Sequence, residues 1–228
     1  MLQGISASGG FAIGKILTIE EETPVYNKSS YLGKQQEAER LQNALHIFTH
    51  RTEGAASAIR RIVGKEEADI FTGHIYMAHD PEMQKRMKRK IARGFNAETA
   101  MESACDYFIT SFLNSESDIT RQKAADVRDI RTSLLHILTE TAVEPMNIPF
   151  GTVIAAKELK PSAVNFMERR RTVAALAETG TENAHFAVLM RAMGIPAVLS
   201  VKGLMQTLTT GQRVIVDGDK GEVVVLDK

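Results

Sequence analysis

Residues 173–199 read VAALAETGTENAHFAVLMRAMGIPAVL, and this stretch decides the fold. The apolar run Val173–Ala177 predicts a buried strand, which ends at a polar turn containing Gly180. Apolar residues then recur with helical spacing in Phe186–Met193, and Ala197–Leu199 predicts a second strand. A strand, a helix and a second strand in this order indicate an α/β lobe with the helix packed on a sheet.

Further strand-like segments occur near both ends of the chain. They are rich in β-branched or small apolar residues and cover residues 11–19, 152–156, 214–216 and 222–226. The last two flank the turn Asp217-Gly218-Asp219, which predicts a hairpin, and residues 161–170 have the pattern of a short helix. Because both chain ends share this composition, we predict one α/β lobe formed by residues 1–30 and 143–228.

The region between these ends has a different pattern. β-Branched residues become rare, and apolar side chains recur at steps of three and four, as at Leu41, Leu45 and Phe48. Similar patterns cover residues 70–91, with a break at Asp80-Pro81, then 97–113 and 120–138. Four helical segments joined by short turns predict a four-helix bundle, inserted into the lobe as residues 31–142.

The overall composition narrows the functional classes. The chain has 28 Lys and Arg residues and 28 Asp and Glu residues, so no net charge attracts nucleic acid or an anionic membrane. The single cysteine, Cys105, excludes an intrachain disulfide or a cysteine-based zinc cluster, and no apolar run is long enough to span a membrane. We therefore expect a cytoplasmic protein without a nucleic-acid partner or membrane insertion.

Among the histidines, His185 has the most informative neighbours. It lies between the polar turn and the predicted helix, where backbone N–H groups and the positive end of the helix dipole favour a negative charge. A neutral imidazole can accept a phosphoryl group on one nitrogen while the other holds a proton. The position is equally compatible with a histidine that only caps or packs the turn. His46 and His50 have the spacing of a metal-binding pair, but no further ligand completes it, so we predict no metal site.

Four motifs carry a family resemblance. The segment HFAVLMRAMGIPAV, residues 185–198, resembles the phosphohistidine segment of the phosphoenolpyruvate-utilising proteins. Residues 4–15, 70–75 and 124–130 read GISASGGFAIGK, IFTGHI and AADVRDI. Together they are similar to the N-terminal half of enzyme I of the bacterial sugar phosphotransferase system, over nearly the whole chain.

The resemblance implies a fold and a function. The fold is a swivelling phosphohistidine lobe with a helical insertion that docks the small phosphocarrier HPr. His185 would take a phosphoryl group from phosphoenolpyruvate through Nε2 and pass it to a histidine of HPr, as a phosphotransferase component. The phosphoenolpyruvate-binding, magnesium-dependent domain lies beyond the region represented here, so we expect no cofactor in this chain, and covalently linked phosphotransfer domains are further partners that the family suggests.

The resemblance also assigns residues to two sites. The neighbourhood of the phosphoryl group would contain Gly180, Thr181, Asn183 and Arg191. The residues that bind the partner would be Glu66, Glu67, Asp69, His74, Asp126 and Arg128.

Two departures from the family pattern surround His185. The usual Gly-Gly-x-Thr-Ser-His is replaced by Gly-Thr-Glu-Asn-Ala-His in residues 180–185, and a strand-end threonine that can bond the histidine is replaced by Val164. Glu182 adds a like charge near a phosphoryl group. These changes suggest a divergent enzyme I-like domain, such as that of the multidomain phosphotransfer subunit of the dihydroxyacetone kinase system.

Two other functions stay open. One is a docking or regulatory module whose histidine is not phosphorylated, which the altered approach to His185 favours. The other is a fragment of a different phosphoenolpyruvate-utilising enzyme, such as a dikinase or synthase. The helical motifs argue against this second alternative, and no glycine-rich nucleotide loop occurs in the chain.

Overall fold

The computed structural model describes residues 1–20, 24–141, 148–165, 167 and 170–226. The chain divides into two compact units, one formed by Met1–Glu21 and Pro145–Lys228 and the other by Glu22–Glu144. The first is the α/β unit and the second is the helical unit. Residue 143, the predicted second boundary, lies outside the described residues. The same holds for part of the predicted helix 161–170, of which Pro161–Asn165 form a 3₁₀ turn.

A mixed sheet of eight strands forms the α/β unit. The strands are β1 (Leu2–Gln3), β2 (Ile5–Ser8), β3 (Phe11–Ile19), β4 (Thr152–Ala156), β5 (Thr172–Ala177), β6 (Ala197–Leu199), β7 (Arg213–Asp217) and β8 (Glu222–Val225). Their order across the sheet is β1-β8-β7-β3-β4-β5-β6-β2. The helices that the described residues of this unit form are α6 (His185–Met193) and the short α7 (Leu204–Thr207). This confirms the predicted α/β lobe built from both chain ends.

Strand β3 joins the two ends of the chain. It pairs in parallel with β4, with Lys15 opposite Thr152, and antiparallel with β7, with Phe11 opposite Asp217. A Cβ atom on Gly14 would lie 2.4 Å from the carbonyl oxygen of Gly151, so only glycine fits this close approach of the two backbones. Strand β4 is buried at every position, as expected for a parallel strand covered on both faces.

Five helices form the described part of the helical unit. They are α1 (Lys34–Ile62), α2 (Lys65–Ala78), α3 (Pro81–Ala92), α4 (Ala97–Leu113) and α5 (Asp118–Leu138). The predicted segment 70–91 is therefore two helices, because Asp80 caps α3 by accepting hydrogen bonds from the backbone N–H groups of Glu82 and Met83, and Pro81 occupies its first position. No helix of the described residues is long and apolar enough to cross a membrane.

A buried carboxylate ties the starts of α1 and α4 together. The side chain of Glu37 is fully buried and accepts hydrogen bonds from the backbone N–H groups of Leu32 and Ala97, at 3.0 and 2.9 Å. Arg40 donates to Glu37 at 2.7 Å, to Glu98, and to the carbonyl oxygen of Leu138 at 3.2 Å. Because these bonds involve charged groups, they are stronger than neutral hydrogen bonds and connect three helices of the unit.

Residues 24–30, predicted to belong to the α/β lobe, contact the helical unit instead. The hydroxyl of Tyr26 donates to the carboxylate of Glu102, and the side-chain amide of Asn96 donates to the carbonyl oxygen of Asn27 at 2.9 Å. The boundary between the units thus lies closer to the N-terminus than predicted, because specific side-chain partners in α4 and at its N-cap hold this segment.

The bond between Tyr26 and Glu102 gives a prediction about pH dependence. Burial, with Glu102 as the next cause, raises the pKa of Tyr26 from its usual 10.0 to about 12. The neutral phenol is therefore favoured in the folded state, and its stabilising effect is complete below about pH 10 and is lost as the pH rises through the folded-state pKa. We expect Tyr26→Phe to lower the free energy of unfolding by about 1 kcal/mol at neutral pH.

The measurement is chemical denaturation together with an ultraviolet titration of tyrosinate. Tyr26→Phe should remove a tyrosine ionisation near pH 12 from the titration, since that is the pKa of Tyr26. Tyr76→Phe is the matched control, because the Tyr76 side chain is 75% exposed. Equal stability losses in the two variants would show that the Tyr26 hydroxyl does not hold the segment.

Candidate functional site

The backbone around His185 leaves donor groups at a helix start. His185 is the first residue of α6 and is half-buried. Ala184 occupies the N-cap with an extended backbone (φ −60°, ψ 145°) and makes no side-chain capping bond. The N–H of Val188, which donates to the carbonyl of Ala184 at 3.1 Å, belongs to the regular helix. The N–H groups of the first turn have no acceptor within their own helix, and the positive end of the helix dipole lies beside them.

Backbone hydrogen bonds to the end of β4 continue beyond β5 into the loop that precedes His185. The N–H of Glu178 donates to the carbonyl of Ala156 at 3.1 Å, and the N–H and hydroxyl of Thr179 both donate to the carbonyl of Lys157 at 3.0 Å. The carboxylate of Glu178 accepts from the N–H of Met205 at 3.0 Å. The loop before His185 therefore starts from a fixed position at the carboxyl end of a buried parallel strand.

Gly180 turns the chain away from the sheet. Its φ of +123° is a conformation that residues with a side chain rarely adopt, and a Cβ atom would lie 3.0 Å from Cδ1 of Leu199. Its carbonyl oxygen accepts a hydrogen bond from the Ser200 hydroxyl at 2.6 Å. A glycine is therefore required at position 180, because the chain makes a left-handed turn there and packs closely against β6.

The next turn of the loop brings the chain to α6. The carbonyl oxygen of Thr181 accepts a bond from the N–H of Ala184 at 3.1 Å. The side chains of Thr181, Glu182 and Asn183 are exposed, so the added negative charge of Glu182 faces solvent. Solvent exposure screens its repulsion of a phosphoryl group.

Arg191 links this loop to a strand at the edge of the sheet. Its Nη1 atom donates to the carbonyl oxygen of Ala7 in β2 at 2.8 Å and to that of Glu182 at 2.7 Å. A cleft of about 350 Å³ lies beside it. The cleft is lined by Ser6, Ala7, Ser8, Gly9, Glu182, Asn183 and Arg191. The structure therefore places Asn183 and Arg191, two of the predicted neighbours of the phosphoryl group, at one cleft. Nη1 of the arginine is bonded there to two backbone carbonyls.

Val164 offers no hydrogen-bonding group to the site. It lies in the 3₁₀ turn Pro161–Asn165, is 6% exposed, and belongs to a segment that packs against α6. Valine in place of the family's threonine therefore puts an apolar side chain in the segment that packs against α6.

The residues predicted to bind a partner fall into an exposed and a buried group. On α2, Glu66 and Asp69 are exposed and Glu67 is half-buried. Asp69 forms ion pairs with Lys65 at 3.1 Å and Arg60 at 3.8 Å. Two acids in the first turn also favour the helix start electrostatically, which is a local reason for their presence.

His74 and Asp126 are buried, with exposures of 4% and 2%. Nε2 of His74 lies 3.4 Å from Asp126, and Nδ1 lies 4.0 Å from Asp129. The three side chains connect α2 to α5, while Arg128 is half-buried. In the described chain these two predicted contact residues are buried, whereas Glu66 and Asp69 are exposed.

Sequence reasoning missed an exposed aromatic residue on α2. Tyr76 is 75% exposed, and Glu66, Asp69, Gly73 and Tyr76 recur at steps of three, four and three, so they share one side of the helix. The sequence signal was the helical spacing of Tyr76 from Glu66 and Asp69, which places all three residues on one side of a helix. We call Glu66, Asp69 and Tyr76 the α2 face. Tyrosine is enriched at surfaces that contact proteins, and exposed carboxylates beside it select the charge of a partner.

Cys105 is not a candidate nucleophile. Burial raises the pKa of its thiol to about 12, so the thiol stays protonated at neutral pH. Because the thiolate is the reactive species, the residue serves as a small apolar side chain in the helical core.

Two family models match the chain. Residues 3–123 match the model described as "PEP-utilising enzyme, N-terminal", and residues 148–221 match the one described as "PEP-utilising enzyme, mobile domain". The second match contains the loop and helix α6 with His185.

Among curated proteins, the chain is similar to phosphoenolpyruvate-protein phosphotransferases. That of Priestia megaterium is 33% identical over 226 residues, which cover 98% of this chain and 39% of the relative. That of Bacillus subtilis (strain 168) is 30% identical, covering 98% and 40%. The chain thus spans about two fifths of the length of these relatives.

Two solved structures have a similar fold. One is described as an NMR solution structure of enzyme I, with a TM-score of 0.75 and 25% identity, covering 99% of this chain and 92% of that one. The other is described as the N-terminal domain of "Enzyme 1 - Nitrogen", with a TM-score of 0.65 and 23% identity, covering 99% and 93%. The second supports the fold alone.

The geometry at Gly180 predicts the effect of a substitution. Gly180→Ala should lower the free energy of unfolding by about 2 kcal/mol, because it forces a side chain into the left-handed region and against Leu199. Gly211→Ala is the control, since Gly211 also has a positive φ (+97°) but no atom within 4 Å of the added Cβ. Thermal unfolding should show a larger loss for Gly180→Ala, and equal losses would mean that packing against Leu199 is unimportant.

Proposed function

Because this chain belongs to the family of phosphoenolpyruvate-utilising enzymes, we propose that it is a phosphotransferase component that carries a phosphoryl group on His185. The group passes between His185 and the histidine of an HPr-like carrier, within a chain of transfers that starts at phosphoenolpyruvate. The observation that carries the proposal is the position of His185 as the first residue of α6, at the carboxyl side of a buried parallel strand.

The geometry suits a phosphorylated imidazole. One ring nitrogen of the neutral side chain forms a bond to phosphorus while the bond from phosphorus to the donor breaks, and the leaving group keeps that electron pair. The transferred group has a charge of about −1.5 to −2 and three acceptor oxygens. Backbone N–H groups in the first turn of α6 and the positive end of its dipole are suited to these oxygens. Transfer to the carrier is the same exchange in the opposite sense.

The α2 face is the proposed docking surface for the carrier. Its exposed carboxylates, Glu66 and Asp69, favour a partner with a basic patch, since complementary charge accelerates association and selects the partner. Tyr76 supplies exposed aromatic area of the kind that dominates binding energy in interfaces.

We assign the chain, more narrowly, to a phosphotransfer system that phosphorylates dihydroxyacetone. The departures from the enzyme I pattern support this choice, namely Glu182-Asn183-Ala184 before the histidine and Val164 in the 3₁₀ turn. The same departures are the basis of the alternative, a docking module that is not phosphorylated. The test is to offer this chain an HPr-like carrier from a dihydroxyacetone system and HPr from a sugar phosphotransferase system. Faster phosphoryl transfer with the first carrier supports the assignment to dihydroxyacetone phosphorylation, and equal transfer supports only the general phosphocarrier role.

The first prediction of this proposal concerns His185. When the chain is incubated with radiolabelled phosphoenolpyruvate, full-length enzyme I and HPr, we expect an acid-labile label on the wild type and none on His185→Ala. Among the histidines, all of which lie in the described residues, only His185 begins a helix. Phosphoenolpyruvate alone should give no label and no pyruvate, since phosphoryl transfer to this chain is from protein to protein.

His136→Ala is the control for this experiment, because it removes a histidine near the end of α5 in the helical unit. Its label should equal that of the wild type. Label persisting in His185→Ala would reject the assignment, and an unlabelled wild type would favour the docking module.

A second prediction concerns the α2 face. The double reversal Glu66→Lys and Asp69→Lys should slow association with the carrier roughly tenfold at low salt, with a smaller effect at high salt where charges are screened. The measured quantity is the second-order rate constant of phosphoryl transfer at several ionic strengths. Folding should survive, because both side chains are exposed.

Glu116→Lys with Asp118→Lys is the matched control. It makes the same change of charge at exposed residues near a helix start, and Asp118 likewise forms an ion pair with a basic residue, Arg121, on its own helix. If both double variants slow transfer equally, the effect is one of net charge, and the carrier docks elsewhere.

A further inference from the structure

The contacts of Arg191 point to a role in holding the backbone of the loop before His185. The residue lies on α6, six positions after His185, which corresponds to about 9 Å along the helix axis. Both bonds of its Nη1 atom go to backbone carbonyls, at 2.8 Å to Ala7 and 2.7 Å to Glu182. Since Nη1 has only two hydrogens, both are used.

An irregularity in β2 explains why a carbonyl is available there. Strand β2 is at the edge of the sheet, and its pairing with β6 shifts between Ser6 and Ser8. A bulge of this kind leaves the extra residue, Ala7, outside the regular ladder. Ala7 is only 2% exposed, so its carbonyl requires a donor from the protein, and Arg191 supplies one.

The second carbonyl belongs to the approach to His185. Glu182 is followed by Asn183 and Ala184, and Ala184 is the N-cap of α6. Its N–H bond to Thr181 closes a turn over the same residues. Arg191 lies on α6 and donates to the carbonyl of Glu182, in the middle of the loop that precedes this helix. Its second bond links the loop and α6 to β2 at the edge of the sheet.

We propose that Arg191 is a positioning residue for phosphoryl transfer at His185, which it supports by holding the Thr181–Ala184 loop on β2. This inference rests on the proposed function. Arg191 acts through the loop, which sets where His185 and the donor N–H groups of the first turn lie. Small misplacements of reacting groups slow reactions strongly, by up to about 100-fold for 1 Å.

The test compares Arg191→Met and Arg191→Lys with the control Arg171→Met. Arg171 is also an arginine of the α/β unit, and its Nη1 donates to the carbonyl of Ile148 at 3.0 Å, a residue outside the loop. Two quantities are measured for each variant. The first is amide hydrogen exchange at residues 181–185 in the unphosphorylated chain. The second is the single-turnover rate of label uptake as a function of phosphorylated carrier concentration.

For Arg191→Met we expect faster exchange in the loop and a maximal rate lowered about 10- to 100-fold, with the half-saturating carrier concentration changed less than about twofold. Arg191→Lys should recover part of the rate, because an ammonium group can still donate to carbonyls. Arg171→Met should alter neither loop exchange nor the maximal rate, and circular dichroism should show all variants folded.

Three results would overturn the inference. A slow Arg191→Met variant with a loop as protected as in the wild type would mean that the guanidinium acts directly on the phosphoryl group. A wild-type maximal rate in Arg191→Met, with or without loosened exchange, would mean that the loop contact does not position His185. If the wild-type chain takes up no label, the proposed function itself fails and the inference falls with it, which distinguishes that failure from the other two.

Discussion

The pairing of β3 with strands from the other end of the chain is the constraint on which the rest of the α/β unit depends. Its parallel neighbour β4 and antiparallel neighbour β7 are separated from it in sequence by the whole helical unit. The close approach of Gly14 to Gly151 lets these strands pair at this distance. Once β4 lies parallel to β3, β5 and β6 follow in parallel register, and their carboxyl ends define one edge of the sheet. His185 follows β5 at that edge, where open α/β sheets bind ligands.

Charged side chains that bond to backbone groups hold the irregular parts of both units. Glu37 accepts from two N–H groups at the starts of helices α1 and α4, whereas Arg191 donates to two carbonyls, one in a bulged strand and one in a loop. Backbone groups outside regular ladders need such partners when they are withdrawn from water. Because each bond involves a charge, it is stronger than a neutral one and also directional. These loops are thus ordered by polar bonds and not only by apolar packing.

Local pattern predicted the strands and the helix start, but not the distant contacts. Strands 152–156 and 197–199 agree with the structure because these apolar runs are too short for a helix and are bounded by turn signals. The bond from Arg191 to Ala7 spans 184 positions and depends on a bulge with no sequence signal. The burial of His74 and Asp126 likewise depends on contacts between residues that are far apart in the sequence. The roles of His185 and its neighbours in phosphoryl transfer stay predictions, since geometry fixes their places and not their reactivity.

In the proposed role of His185, the surrounding residues shift the binding of a phosphoryl group from side chains to the backbone. Val164 and Ala184 have no hydroxyl, and Ala184 forms no capping bond. An N-cap serine would accept a bond from the first turn of α6 and stabilise the helix by about 1 kcal/mol, but it would occupy a donor N–H group. Alanine forgoes that stabilisation and places no side-chain acceptor on the N–H groups of the first turn. Backbone donors can be aimed only by fixing the chain that carries them, so in the proposed transfer the loop contacts of Gly180 and Arg191 set the geometry at His185.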